Sequence, residues 1–222
     1  MKNKNLLLIT ILSILACGMH AIMLNSAFNY YAYTSVFKII LFILCPIVYF
    51  LAYKEENFKD MFLKWERKGI GLSLALGFAV FTFIFVAFII LRPFLDKEMI
   101  VDAFANNGIT SGNFPLVFIY VVLINAALEE IFFRGFVFMT IYRKNLKSYA
   151  HLYSCLLFAF YHVAILNNAV TPCVFILFII GLAVAGLIFN YMAVKCNSII
   201  GSLIVHISAN MSINLIVYAY YL

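Results

Sequence analysis

The chain has 222 residues, 66% of them hydrophobic and 11% charged, with a mean hydropathy of +1.07. A soluble domain carries about 25% charged residues, so water is not the solvent of this chain, and its length suits a single membrane domain with no soluble core beside it. The formal charge of +6 arises from basic residues that fall between apolar runs, not along one face, so the reading is the lipid bilayer as surroundings and no nucleic acid as partner.

Windows of about 20 apolar residues predict seven spans, at 6–24, 36–53, 69–91, 115–142, 150–166, 173–194 and 199–222. Lys2 and Lys4 ahead of the first run mimic a signal peptide, with Cys17 in the position of a lipoprotein cleavage site, but an uncleaved first span is expected because further spans follow. Between the second and third spans, Phe58, Met61, Phe62 and Trp65 alternate with charges at helical spacing, which predicts an amphipathic segment over 54–68 lying in the cytoplasmic interface. Asn106-Asn107-Gly108 and Ser111-Gly112-Asn113 are turn signals, and the connection over 92–114 reads as a loop without helical periodicity. Gly181, Ala185 and Gly186 give the sixth span a small-residue face for close helix packing. The five cysteines, Cys17, Cys45, Cys155, Cys173 and Cys196, are widely spaced with no Cys-x-x-Cys pair and read as apolar packing residues.

The connections sort by charge. Eleven basic residues fall on one side of the membrane and three, Lys38, Arg92 and Lys97, on the other, with Lys38 close to a boundary. By the positive-inside rule the amino terminus is cytoplasmic. The expected fold is an all-α, polytopic transmembrane helix bundle. Within one membrane domain, residues 1–114 supply the amino-terminal spans and residues 115–222 the core that carries the polar motifs.

An ionisable group at the centre of a span costs about 2.5–3.5 kcal/mol on insertion scales, and this chain places several there. Glu129, Glu130 and Arg134 lie in the fourth span, Phe158 and His162 in the fifth, His206 and Asn210 in the seventh. Glu130 and Arg134 are four apart and share a helix face, so an ion pair between them is expected. Glu129 is turned by about 100° from Glu130 and is expected to have no local partner, which makes it the available carboxylate. His206 and Asn210 are again four apart, so the amide is expected to orient the imidazole or a water. Counted from the cytoplasmic ends, Glu129, His162 and His206 lie roughly 20, 18 and 12 Å deep, which is one layer within the error of the ends. His20 and His151 fall near span ends without acidic neighbours and read as interfacial, and Tyr161 points away from His162 and reads as packing. So many polar groups in one layer exceed what interhelical hydrogen bonding alone requires.

Glu129-Glu130-x-x-x-Arg134, then Phe158-x-x-x-His162, then His206-x-x-x-Asn210, in order on separate spans, resemble the motifs of the CAAX-protease and bacteriocin-processing (CPBP, or Abi) intramembrane peptidases. The resemblance covers residues 115–222; the first three spans match only in being apolar. It implies peptide-bond hydrolysis in a membrane-embedded or lipidated protein or peptide, bacteriocin processing or self-immunity included. Glu129 and His162 would activate a water, His206 and Asn210 would stabilise the oxyanion, and Glu130, Arg134 and Phe158 would support them. It also implies a multi-pass protein of the bacterial cytoplasmic membrane, with the site open to the cytoplasm. Glu129, His162 and His206 could ligate zinc with water in the fourth position, but no His-Glu-x-x-His helix is present; the reading sides against a tightly bound structural metal and requires no cofactor. The alternative from another class is a non-enzymatic membrane protein, either a small transporter or a bacteriocin-immunity binding protein, using the same cluster. A transporter should show inverted repeats and broken helices, and the sequence shows neither clearly.

Overall fold

The computed structural model describes residues 2–26, 28–53, 67–166 and 170–222. Among these, the regular structure is helical and no strand occurs. Seven helices are long and apolar enough to cross a membrane: Asn5–Leu24, Tyr31–Tyr53, Gly69–Phe94, Phe114–Tyr142, Lys147–Leu166, Pro172–Lys195 and Ile200–Tyr220. The expected all-α bundle of seven spans is therefore observed, and the chain is a multi-pass membrane protein. Residues 54–66 of the amphipathic segment expected at 54–68 lie outside the described residues.

Two span boundaries depart from the expectation in ways that matter. The second span begins at Tyr31, not at residue 36, so Lys38 lies about two turns inside it and is buried instead of sitting at a boundary. Its buried face runs Thr34, Lys38, Leu41, Phe42, Pro46, Tyr49 and Phe50, an i, i+4, i+7 stripe that packs on the fourth span. There Phe42 stacks on Phe132 at 4.0 Å between ring centroids, and Tyr49 meets Phe136 at 5.5 Å.

The connection expected to be irregular contains a helix, Lys97–Asn106. Asp96 caps it, its side chain accepting the Met99 N–H at 3.1 Å. Gly108, at φ +72°, ends it in a Schellman motif, with the Ile109 N–H on the Phe104 carbonyl and the Gly108 N–H on the Ala105 carbonyl. The Asn-Asn-Gly signal thus marks a helix stop as well as a turn. The Tyr31 N–H donates to the Asn107 carbonyl at 2.9 Å, which ties this helix to the start of the second span.

The fourth span is not uniformly α-helical. Tyr120–Asn125 and Glu130–Met139 are π-helical, with one α turn, Ala126–Glu129, between them. Stretches of π-helix are rare and recur at functional sites, because i→i+5 bonding widens the turn and releases backbone carbonyls from the ladder. Within the first of these stretches, the Val121 carbonyl accepts the Asn210 amide from the seventh span at 3.0 Å.

Small residues bring the other site-bearing helices close. A Cβ at residue 186 would stand 3.0 Å from the Cys155 Cα, so the fifth and sixth spans approach nearly backbone to backbone. Gly181 meets nothing within 4 Å, so only the Gly186 end of the predicted small-residue face is used. The third and seventh spans pack through Gly77, where a Cβ would fall 2.6 Å from the Ser208 hydroxyl oxygen, and through Ser212, which donates to the Phe81 carbonyl at 2.9 Å.

Candidate active site

Three spans bring the sequence-predicted residues into one buried cluster. Glu129, Glu130 and Arg134 are buried in the fourth span, His206 in the seventh, and His162 sits where the fifth helix breaks after Tyr161. The two histidines reach toward the same carboxylate oxygen: His206 Nε2 lies 3.6 Å and His162 Nε2 4.0 Å from Glu129 Oε2. Among the described residues that oxygen has no hydrogen-bond partner.

Each imidazole is held from behind. His162 Nδ1 donates to the Phe158 carbonyl at 2.7 Å, and His206 Nδ1 donates to Glu130 Oε1 at 2.8 Å. Both acceptors lack a proton to give, so each Nδ1 carries the hydrogen and each Nε2 faces the site. Phe189 lies nearly parallel to the His206 ring at 4.8 Å, and Phe158 packs edge-on against His162 at 4.7 Å. The imidazoles are thus fixed in plane as well as in tautomer.

Three expectations are corrected. Glu129 is far from lacking a partner: its Oε1 accepts from Lys38 Nζ at 2.5 Å and from Asn125 Nδ2 at 3.1 Å. The reason is partly local, since Asn125 is one turn away at i−4, and partly tertiary, since the lysine comes from the second span. Glu130 does not turn its back on Glu129, because the π-helical run that starts at Glu130 lowers the rotation per residue below that of an α-helix and lets both carboxylates meet His206. Of the two roles expected for Asn210, orienting the imidazole falls to Glu130 instead, while the Asn210 Nδ2 is engaged on Val121.

The expected pair of Glu130 with Arg134 forms at 3.1 Å between two fully buried side chains. The guanidinium carbon also lies 4.3 Å from the Phe158 ring centroid and 4.7 Å from that of Phe189, so π faces take up the charge that Glu130 does not. The four ionised side chains of the cluster form two pairs, Lys38 with Glu129 and Arg134 with Glu130, and the net charge is balanced as burial demands.

Sequence reasoning missed Lys38, Asn125 and Phe189. Lys38 shares the helical stripe of Phe42 and Pro46, and Asn125 stands at i−4 from Glu129; both spacings carried the signal. One further residue differs from expectation and one agrees with it. His20, read as interfacial, is buried with its ring 5.4 Å from Tyr161. Tyr161 packs beside the site, its ring 5.0 Å from both the Lys38 ammonium and the His162 ring.

Glu129, His162 and His206 are residue types that zinc accepts. One oxygen of Glu129, however, is committed to Lys38 and Asn125, and the lysine's charge opposes that of a dication. Among the described residues no three His, Cys, Asp or Glu side chains are grouped to hold a metal ion. The arrangement does not fit a tightly held zinc centre.

The molecule is therefore a multi-pass membrane protein with a buried, charge-balanced glutamate–histidine site. The family model for Rce1-like proteins, type II CAAX prenyl endopeptidases, matches residues 111–212, the stretch that holds all the motif residues from Glu129 to Asn210. Over that stretch the resemblance to the CPBP peptidases stands, and the match supports a protease working in the membrane. No curated protein and no solved structure matches the chain.

Proposed function

We propose that the chain is an intramembrane endopeptidase that hydrolyses a peptide bond in a membrane-associated or lipidated protein, using water activated by Glu129 and His162. The observation that carries this reading is the meeting of Glu129 Oε2 with the Nε2 atoms of His206 and His162 at 3.6 and 4.0 Å. A water seated against these atoms can give one proton to Glu129 Oε2 while His162 Nε2 accepts its second O–H. The hydroxide oxygen then bonds to the scissile carbonyl carbon, and the carbonyl π electrons move onto oxygen.

The oxyanion requires donors. Asn210 has a second amide N–H besides the one on Val121, and His206 Nε2, which faces Glu129 Oε2, is the second group beside the reacting carbonyl. When the tetrahedral intermediate collapses, the C–N bond breaks and the proton held on Glu129 passes to the leaving nitrogen. The acid product and the amine product then account for every atom of the water.

His162 is the most accessible of the three, with 17% of its side chain exposed against 2% for Glu129 and 5% for His206, so substrate would approach past the break in the fifth span. The test is to express the full chain in its host membrane beside Glu129→Ala and His162→Ala at matched abundance, and to compare peptide termini by mass spectrometry. A terminus present with wild type and absent from both variants is the expected result. Unchanged cleavage products in both, with the proteins folded, would sink the proposal.

A further inference from the structure

Lys38 lies outside the three motifs and on a helix that the family match does not reach, yet it is 5% exposed and touches the carboxylate at the centre of the site. Two of its three N–H bonds have acceptors in the site. One goes to Glu129 Oε1 at 2.5 Å and one to Asn125 Oδ1 at 2.5 Å, while the ammonium stands 5.0 Å from the Tyr161 ring centroid and 5.4 Å from that of Phe42. Asn125 closes the triangle by donating its Nδ2 to the same Glu129 oxygen at 3.1 Å. Two donors are thus committed to Glu129 and to the asparagine that shares its oxygen, so the lysine acts through the glutamate.

Deepening the peptidase reading on which it rests, we propose that Lys38 is a positioning residue: with Asn125 it holds Glu129 as a carboxylate in the apolar bundle and fixes Oε2 as the oxygen presented to His162 and His206. Two physical arguments support it. A lone carboxylate this deep would take up a proton rather than stay charged, and a protonated Glu129 cannot receive one from water. A carboxyl group also has two equivalent oxygens, and two donors from one side break that equivalence. The cation facing Glu129 from the second span is Lys38; from the fifth and seventh spans it is faced by His162 and His206, and on its own span Glu130 with Arg134 forms a separate pair. Lys38 is thus the fixed positive charge directly on this carboxylate among the described residues.

The test is difference infrared spectroscopy on the full chain reconstituted in vesicles of host lipid at neutral pH, with Glu129→Gln identifying the bands of that residue. Wild type is expected to show an ionised carboxylate at Glu129, and Lys38→Met, close in shape and without charge, a protonated one. Lys38→Arg should restore the ionised band. In the cleavage assay Lys38→Met should lower kcat by about a hundredfold with KM within about twofold, the pattern of a group that acts in the chemical step, and Lys38→Arg should recover part of it.

An ionised Glu129 in a folded Lys38→Met protein would overturn the proposal, as would a protonated Glu129 in wild type. The second reading needs only wild type and Glu129→Gln, so it remains available if Lys38→Met does not fold. The infrared result also stands apart from the peptidase reading. If the bands behave as expected but wild type cleaves nothing, the positioning of the carboxylate holds and the hydrolytic role fails.

Discussion

Glu130 and Arg134 form the most deeply enclosed ion pair among the described residues, both side chains fully buried in the fourth span. Removing one partner leaves a charge in an apolar medium, and such losses cost about 3–5 kcal/mol. Glu130→Leu should therefore lower the melting temperature in detergent markedly, and it should also release His206, whose Nδ1 rests on the lost oxygen. Glu130→Leu combined with Arg134→Met removes both charges and should recover most of the stability but not the activity, since the His206 anchor remains lost. Comparing thermal melts and cleavage for the single and double variants separates the two effects. The same reasoning about Glu129 predicts that chelation with 1,10-phenanthroline leaves cleavage unchanged, because the carboxylate's charge is already met by Lys38; loss of cleavage that added zinc restores would contradict it.

Helix contacts decide how accurately those side chains are held. Gly186 and Gly181 belong to the same sequence pattern but differ in what they meet: a Cβ at 186 would press on the Cys155 backbone at 3.0 Å, and one at 181 would meet nothing within 4 Å. Gly186→Leu should cost about 1–3 kcal/mol by overpacking and reduce cleavage, since the fifth span that it displaces carries His162. Gly181→Leu should leave both unchanged, and melting curves with matched cleavage assays check the contrast. In the connecting helix, Asp96→Ala removes the cap on Met99 and should cost about 1 kcal/mol of local stability, visible as faster amide exchange in 97–106 with little effect on cleavage.

Across the molecule, the family match stops short of the second span, whereas the site does not. Lys38 meets Glu129 and Phe42 stacks on Phe132, so residues 111–222 expressed alone would expose both to lipid. That fragment is expected to accumulate poorly and to cleave nothing. Coexpression with residues 1–110 should restore activity, as two helical pieces reassemble through their packed faces. Accumulation by immunoblot and cleavage by mass spectrometry give the outcome.

The seven spans could be read from the chain because a bilayer sets one demand, about 20 apolar residues per crossing, which local composition either meets or does not. The residues Glu129, Glu130, Arg134, His162 and His206 could be read for the related reason that charge within an apolar run is costly wherever the helices go. Partners were another matter. Whether Glu129 stands alone or against Lys38 depends on where the second helix starts and which face it turns to the fourth, and a boundary shift from residue 36 to Tyr31 moves the lysine from the interface into the site. The convergence of Glu129 and Glu130 on His206 depends on the π-helical geometry of the fourth span, which apolar periodicity does not encode. Burial cost is local and additive along the chain, whereas pairing depends on register between helices distant in sequence, and that register is settled only when their faces pack.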